Sequence, residues 1–226
     1  MAYDFDKIAR DYDRMNHLMT AGLDRRWRKS AVQGLHGKVL DVACGTGDMA
    51  VELLRQGCSV TGVDLSKEMM AIAKQKAPQA EYKLADAEHL PFEDATFDAV
   101  TCAFGVRNFV HLEQGLSEML RVLKPGGRMV ILELATPDSP LLRPFYNLYT
   151  RHIIPWLGQH LAGSRDAYTY LPRSIEHFPK GTDFIHIIEN AGGSATEIKF
   201  TFGVCRLYVA EPSNKKAALA GQPPCY

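Results

Sequence analysis

The stretch Val39-Leu40-Asp41-Val42-Ala43-Cys44-Gly45-Thr46-Gly47-Asp48 decides the fold, because a short apolar strand runs directly into a glycine loop that opens a helix. Strand, glycine turn and helix in that order are where an α/β sheet binds a nucleotide-like ligand. Glycines two residues apart let the backbone turn sharply and let a ligand approach where a Cβ would block it. The first turn of the helix then offers N–H groups that have no helical partner. The third glycine of a dinucleotide fingerprint is absent, since Gly45-Thr46-Gly47 continues as Asp48-Met49-Ala50, and no Gly-Lys-Ser/Thr phosphate loop follows. Asp48 at the helix mouth would repel a pyrophosphate but could receive the ammonium of an amino-acid ligand. S-adenosylmethionine carries that ammonium and no phosphate.

Two further acids follow at strand ends. Ser59-Val60-Thr61-Gly62-Val63-Asp64 reads as a second strand, and Asp64 stands about 20 residues beyond the loop, where a carboxylate accepts from both ribose hydroxyls. Tyr82-Lys83-Leu84-Ala85-Asp86 places another acid at a third strand end, suited to the amino group of an adenine. Any one of these acids alone reads equally as a helix cap or a turn residue. Three in register at consecutive strand ends argue for a cofactor crevice, with Gly45, Gly47, Asp64 and Asp86 as its candidate residues.

With 226 residues, 46% of them hydrophobic, the chain has the length and apolar content of one α/β domain. Its 26 basic residues balance 26 acidic ones, so no basic field for nucleic acid is present. Arg25-Arg26-Trp27-Arg28-Lys29 is a local cluster, either a solvated helix face or a functional patch. Five cysteines, at 44, 58, 102, 205 and 225 and without a C-x-x-C, argue against a disulfide framework or a zinc knuckle and fit a reducing cytoplasm. No metal is expected. The opening Met1-Ala2-Tyr3-Asp4 is not the start of an apolar leader, and no stretch is long and apolar enough to cross a bilayer, so the expectation is a soluble or peripheral protein.

Helical and strand periods alternate along the chain. Met49–Gln56, Ser66–Lys76 and Leu112–Leu123 read as helices, Phe97–Phe104 and Arg128–Leu134 as strands. Alternation of this kind implies a mostly parallel sheet flanked by helices, a Rossmann-like α/β fold. Ser66 fits an N-cap, and Lys124-Pro125-Gly126-Gly127 punctuates a helix end. After Gly192-Gly193, Ala195–Phe202 and Val204–Ala210 flank Gly203, which predicts a closing antiparallel hairpin. The whole of 1–226 reads as one domain, with a helical arm at 1–35, a helical insertion at 137–181 after the fifth strand, and a flexible tail at 212–226.

The arm and the insertion stand outside the alternation. In the arm Phe5, Ile8, Ala9 and Tyr12 share one helical face. In the insertion Leu141, Leu142, Phe145, Leu148 and Tyr149 form an apolar stripe ahead of Ile153-Ile154-Pro155-Trp156-Leu157, which is either core packing or the cover of a greasy substrate. Tyr146, Tyr168, Tyr170, Ser174 and His177 supply polar groups there that could face a quinol-like ring.

Phe5-Asp6-Lys7-Ile8-Ala9, Tyr12-Asp13-Arg14-Met15-Asn16, Gly22-Leu23-Asp24-Arg25, Trp27-Arg28, Phe104-Gly105-Val106-Arg107-Asn108 and Arg121-Val122-Leu123-Lys124-Pro125-Gly126-Gly127 together resemble one family over almost the whole chain. It is the class I S-adenosylmethionine-dependent C-methyltransferases that complete menaquinone and ubiquinone head groups. The last motif is shared widely among methyltransferases, whereas Phe-Gly-x-Arg-Asn and the N-terminal signature are specific. Tyr170-Leu171-Pro172-Arg173-Ser174-Ile175 with Phe178-Pro179 resembles the family's insertion.

The resemblance implies a seven-stranded sheet, S-adenosyl-L-methionine as cofactor with contacts at Thr46, Asp64 and the Asp86-Ala87 pair, and a polyprenylated quinol as substrate. The chain departs from some members in having Asp86 in place of Asn and Ala103 in place of Ser. Carbon methylation needs a phenolate, alignment with the S–CH₃ bond and exclusion of water. That chemistry gives Arg107 the role of stabilising the anion, with Asn108, Tyr146 and His177 as candidates to hold or take the proton. Arginine itself stays protonated and is a poor base. A lipid-borne acceptor also implies weak, reversible association with a membrane surface. Two other readings share the cofactor motifs, namely a methyltransferase for a soluble phenolic acceptor and a non-catalytic binding module. A nucleotide-dependent dehydrogenase is disfavoured by the missing third glycine.

Overall fold

A computed structural model describes residues 5–161 and 165–213. The tail from 214 onward and the side chain of Tyr168 lie outside the described residues. After a short 3-10 turn at Phe5–Ile8 come α1 (Ala9–Met19), α2 (Leu23–Ala31), β1 (Lys38–Val42), α3 (Asp48–Arg55), β2 (Ser59–Asp64), α4 (Lys67–Lys76), β3 (Glu81–Leu84) and β4 (Phe97–Ala103). The chain continues through α5 (Leu112–Arg121), β5 (Leu123–Leu134), α6 (Arg143–Leu148), α7 (Ile154–Leu161), α8 (Arg165–His177), α9 (Thr182–Asn190), β6 (Gly193–Phe200) and β7 (Cys205–Pro212).

The seven strands form one sheet in the order β3-β2-β1-β4-β5-β7-β6. All neighbours run parallel except β7, which is antiparallel to both β5 and β6. The order reverses between β1 and β4, which opens a crevice at the carboxyl ends of those strands. Period-2 alternation along β1 decides what faces each layer. Leu40 and Val42 join Phe97, Val100, Leu116, Met119, Ile131, Phe184 and Ile188 on one side of the sheet. Val39 joins Trp27, Val32, Met49, Leu53 and Leu132 on the other, so Asp41, two residues on from Val39, points to the α2 and α3 side.

Local chemistry sets most boundaries. Ser66 caps α4, its hydroxyl accepting from the Met69 N–H at 3.1 Å. The Pro-Gly-Gly segment ends no sheet pairing but is absorbed as a bulge, since Phe97 pairs with Leu123 while Ala99 pairs with Arg128. The strand expected at Arg128–Leu134 is therefore preceded by a pairing residue at Leu123. Between α6 and α7, Tyr149–Ile153 forms a π turn. Pro155 has no N–H and its ring crowds the carbonyl four residues back, so the helical run widens there.

The arm and the insertion pack on each other. Ile8, Ala9 and Met15 are buried with Met69 of α4 and Ile154 of α7, and Tyr12, Tyr149, Leu157 and Leu171 close around them. The Tyr149 hydroxyl donates to the Met19 carbonyl at 2.9 Å. The two segments thus form a roof over the carboxyl edge of the sheet. The apolar stripe divides: Tyr149 packs inward, whereas Leu141 is 82%, Phe145 72% and Leu148 57% exposed, as is Trp156 beyond it at 58%.

Candidate cofactor and acceptor site

A cavity of about 260 Å³ lies under this roof at the crevice, lined by Gly45, Asp64, Ser66, Asp86, Ala87 and Asn108 among others. A smaller one of about 20 Å³ continues from it beneath the glycine loop, sharing Tyr12, Ala43, Gly45 and Ala103 as walls.

Each strand end contributes as its sequence dictates. Gly45 and Gly47 adopt φ of +53° and +86°. A Cβ on Gly45 would meet nothing within 4 Å, so that face of the loop is open to a ligand, whereas one on Gly47 would lie 3.0 Å from Ala73 Cβ and press on α4. Ala43 and Phe104, at the ends of the two strands flanking the switch point, also take positive φ, 52° and 61°. For residues with a Cβ that conformation costs on the order of 1 kcal/mol each, and its place here is the crevice wall.

Asp64 is fixed as a hydrogen-bond platform. Oδ2 accepts from the Gly45 N–H and Oδ1 from the Ser66 N–H, both at 2.8 Å, leaving each oxygen a further lone pair. Burial pushes its pKa up, against these backbone bonds. Asp86 Oδ1 accepts from the Glu88 N–H at 2.9 Å, and Ala87 stands beside it in the same wall. Thr46 is buried and its hydroxyl donates to Asp13 of the arm. Asp13 in turn takes a bond from Lys76.

Asp48 differs from the sequence reading. Its Oδ1 accepts from Lys76 Nζ at 2.7 Å, and its Oδ2 lies 3.8 Å from His17 Nε2 and 3.9 Å from Arg28. Burial works against its charge, but Arg28 and Lys76 outweigh that and hold the pKa below the usual range. The carboxylate is therefore already ion-paired through Oδ1 inside the protein. Asp41 has the vacancy instead, with Oδ1 accepting from Thr101 at 2.8 Å and Oδ2 buried without a partner. Burial raises its pKa to about 7.

On the acceptor side, Asn108 lines the large cavity and its Oδ1 accepts from the Tyr170 hydroxyl at 2.9 Å. Arg107 does not line it. Its guanidinium is buried behind the wall, donating at 2.6 Å to both Glu133 and the Phe104 carbonyl. Burial opposes that charge, but Glu133 outweighs it and the pKa is raised. Tyr146, half-buried within the field of Arg107, has its hydroxyl pKa pushed up by burial. His177 is brought nowhere near: it is exposed at the end of α8, where Nδ1 donates to the Arg173 carbonyl at 2.8 Å. The cause is helical phase, since Ile175 takes the buried position of that turn.

Three residues were missed by the sequence reading. Asp41 reads only as part of a strand, Glu133 carries no motif, and Arg28 is one of four basic residues in the cluster at 25–29. The only available signal was the pairing of Trp27-Arg28 within an apolar-polar helix.

The donor set fits S-adenosylmethionine: two oriented carboxylates for a nucleoside, an open glycine face and no phosphate cradle. A 3-2-1-4-5-7-6 sheet with that crevice defines the class, the class I S-adenosylmethionine-dependent methyltransferase fold. Solved structures agree. A SAM-dependent methyltransferase from Thermotoga maritima superposes with a TM-score of 0.67 at 18% identity, covering 92% of this chain and 97% of that one. One from Clostridium acetobutylicum gives 0.65 at 13% identity, covering 90% and 98%. Within that class, the chain belongs to the ubiE/COQ5 methyltransferase family, whose sequence model matches residues 2–211. It is 46% identical over 205 residues to the ubiquinone/menaquinone biosynthesis C-methyltransferase UbiE of Bartonella tribocorum, covering 84% of this chain and 79% of that protein. It is 43% identical over 216 residues to the demethylmenaquinone methyltransferase of Chlorobaculum tepidum, covering 91% and 89%.

Proposed function

We propose that this chain transfers a methyl group from S-adenosylmethionine to a ring carbon of a polyprenylated quinol in quinone biosynthesis. The observation that carries the reading is the continuity of the large cavity from Asp64 and Asp86 to the Phe104-Gly105 and Asn108-Phe109 wall of the Phe-Gly-x-Arg-Asn motif. One ligand end and one acceptor ring can meet there under the roof.

S-adenosylmethionine supplies an electrophilic sulfonium methyl. The protein's task is then to orient a carbon nucleophile and exclude water. Asp64 holds the ribose hydroxyls, and Asp86 with Ala87 holds the adenine edge. Thr46 borders the amino-acid end. With Asn108 Oδ1 taken by Tyr170, its amide nitrogen is left to donate to a ring oxygen of the acceptor. Arg107 acts at one remove, its positive charge lowering the cost of a phenolate beside the wall. The phenolic proton leaves to water on the Asn108 side of the cavity.

The exposed apolar face of α6 and α7 is the proposed contact with the bilayer that holds the prenyl tail. No helix among the described residues is long and apolar enough to cross a membrane, so the contact is a surface one.

Incubation of the purified protein with S-adenosylmethionine bearing a labelled methyl group, and with reduced demethylmenaquinone or a ubiquinone-pathway benzoquinol lacking its ring methyl, should place label in the extracted lipid. Label on one quinol assigns the acceptor. Binding of S-adenosylmethionine without label on either quinol would overturn the quinol reading.

A further inference from the structure

Glu88 is an acid held inside the protein, 6% exposed, two residues beyond Asp86. A carboxylate stays buried only where hydrogen bonds offset its desolvation. Its Oε1 accepts from the Val110 N–H at 2.6 Å and from the His111 N–H at 2.8 Å, and its Oε2 accepts from His111 Nδ1 at 2.7 Å. Burial opposes the charge, but His111 and the Val110 N–H outweigh it and hold the pKa below the usual carboxylate range. The Glu88 carbonyl accepts from Gln114 Nε2 at 3.0 Å, so the main chain is fixed as well.

What Glu88 holds is a wall of the large cavity. A 3-10 turn at Val106–Asn108 ends where Phe109 takes an extended conformation, with φ −65° and ψ 137°, and α5 starts only at Leu112. The N–H groups of Val110 and His111 fall between these two segments, where helical bonding does not reach them. Glu88 gathers both. Asn108, Phe109 and Val110 all line the cavity. Phe109 is fixed from another side by Gly115 of α5, since a Cβ there would lie 2.5 Å from its ring. The Glu88 N–H also donates to Asp86 Oδ1 at 2.9 Å, so one residue joins the strand end that carries Asp86 to the segment that carries Asn108. A buried acid that caps a loop serves stability wherever it sits; this loop is the wall that meets the acceptor.

We propose that Glu88 is a positioning residue for methyl transfer, holding Asn108 and Phe109 where they orient the acceptor ring against the methyl donor. The inference rests on the acceptor reading above and adds to it the side chain that sets the wall. Rate depends on aligning the ring carbon with the S–CH₃ bond, so a shifted wall acts on turnover and acceptor KM rather than on cofactor affinity.

Glu88→Ala removes all three side-chain bonds. Glu88→Gln keeps one oxygen for the two N–H groups and offers His111 Nδ1 an amide donor in place of Oε2. With a short-tailed demethylmenaquinol, Glu88→Ala should lower kcat/KM about tenfold to a hundredfold, and Glu88→Gln should restore it to within about threefold of wild type. The dissociation constant of S-adenosylhomocysteine, measured by calorimetry, should stay within about twofold in both variants, which also shows that they have folded. Equal losses in kcat/KM and in S-adenosylhomocysteine affinity would make Glu88 a stabilising residue only and overturn the proposal, as would an unchanged kcat/KM in Glu88→Ala. Amide exchange of the protein saturated with S-adenosylhomocysteine reads the wall without turnover. The N–H groups of Val110 and His111 should exchange about tenfold faster or more in Glu88→Ala while β1 and β2 keep their protection, and unchanged exchange would overturn the proposal. Wild-type protein that binds S-adenosylhomocysteine but methylates no quinol would instead overturn the acceptor reading, and the exchange result would then decide whether Glu88 holds the wall.

Discussion

Asp41 sits where the fold makes a carboxylate expensive. Burial raises its pKa to about 7, from an ordinary value of 3.8, despite the Thr101 hydrogen bond. Between those two pH values the folded state holds a proton that the unfolded state has released, so stability from this group falls as pH rises, with the full loss present above pH 7. Asp41→Asn should therefore raise the melting temperature of the ligand-free protein at pH 8, and the advantage should vanish near pH 4; scans across that range check it. Asp64 behaves differently, because two backbone N–H groups already hold its carboxylate. Asp64→Asn should cut affinity for S-adenosylhomocysteine about tenfold or more, measured by calorimetry, through loss of one charged acceptor. Arg107 is tied to Glu133, so Arg107→Ala strands a buried carboxylate. It should cost about 3–5 kcal/mol of stability, with the double variant Arg107→Ala/Glu133→Gln recovering part of it, read by denaturant unfolding.

At the scale of elements, the roof has two unlike sides. Its inner side is packed, with α1, α4 and α7 meeting around Met15, Met69 and Ile154. Its outer side presents Leu141, Phe145, Leu148 and Trp156 to solvent. Contiguous exposed apolar residues on a soluble surface mark an interaction face. With Phe145→Glu and Trp156→Glu together, sedimentation with quinone-containing vesicles should be lost. Turnover of a short-tailed, soluble quinol should be retained, because neither side chain lines the cavity. Retained sedimentation would remove this face from the membrane contact.

The molecule as a whole is a sheet with its crevice closed by segments from two distant parts of the chain. Asp13 of α1 reaches Thr46 and Lys76, and Asp6 reaches Ser66, so the arm is tied to the glycine loop and to the start of α4. A ligand seated beneath the arm should stabilise the fold and the arm together. At a hundred times its dissociation constant, S-adenosylhomocysteine should add about 2.7 kcal/mol, which is a rise of about 5–10 °C in melting temperature for a chain of this size. Amide exchange should slow over α1 in the same experiment.

Much of this was written locally. The strand-glycine-helix stretch, the acids at 64 and 86 and the alternation of periods follow from residues adjacent in the chain, and the structure has each where the pattern puts it. Ser66, Gly45 and Gly47 act through their own backbone, so their roles needed no partner to be known. Other features depended on what lay opposite. Helical periodicity groups residues on a face without saying what the face meets, so it could not show that Arg28 turns inward while Arg25 stays in water, or that the stripe from Leu141 to Leu148 is left uncovered. Nor could it show that Arg107 answers to Glu133, 26 residues away, or that Asp48 is already ion-paired with Lys76. The sequence by itself determined the sheet and the placing of Asp64 and Asp86 at the edge of the crevice, because those rest on short-range backbone geometry. Tertiary structure alone decided which charges are spent inside the protein and which are left for a ligand, because charge compensation is a property of neighbours in space.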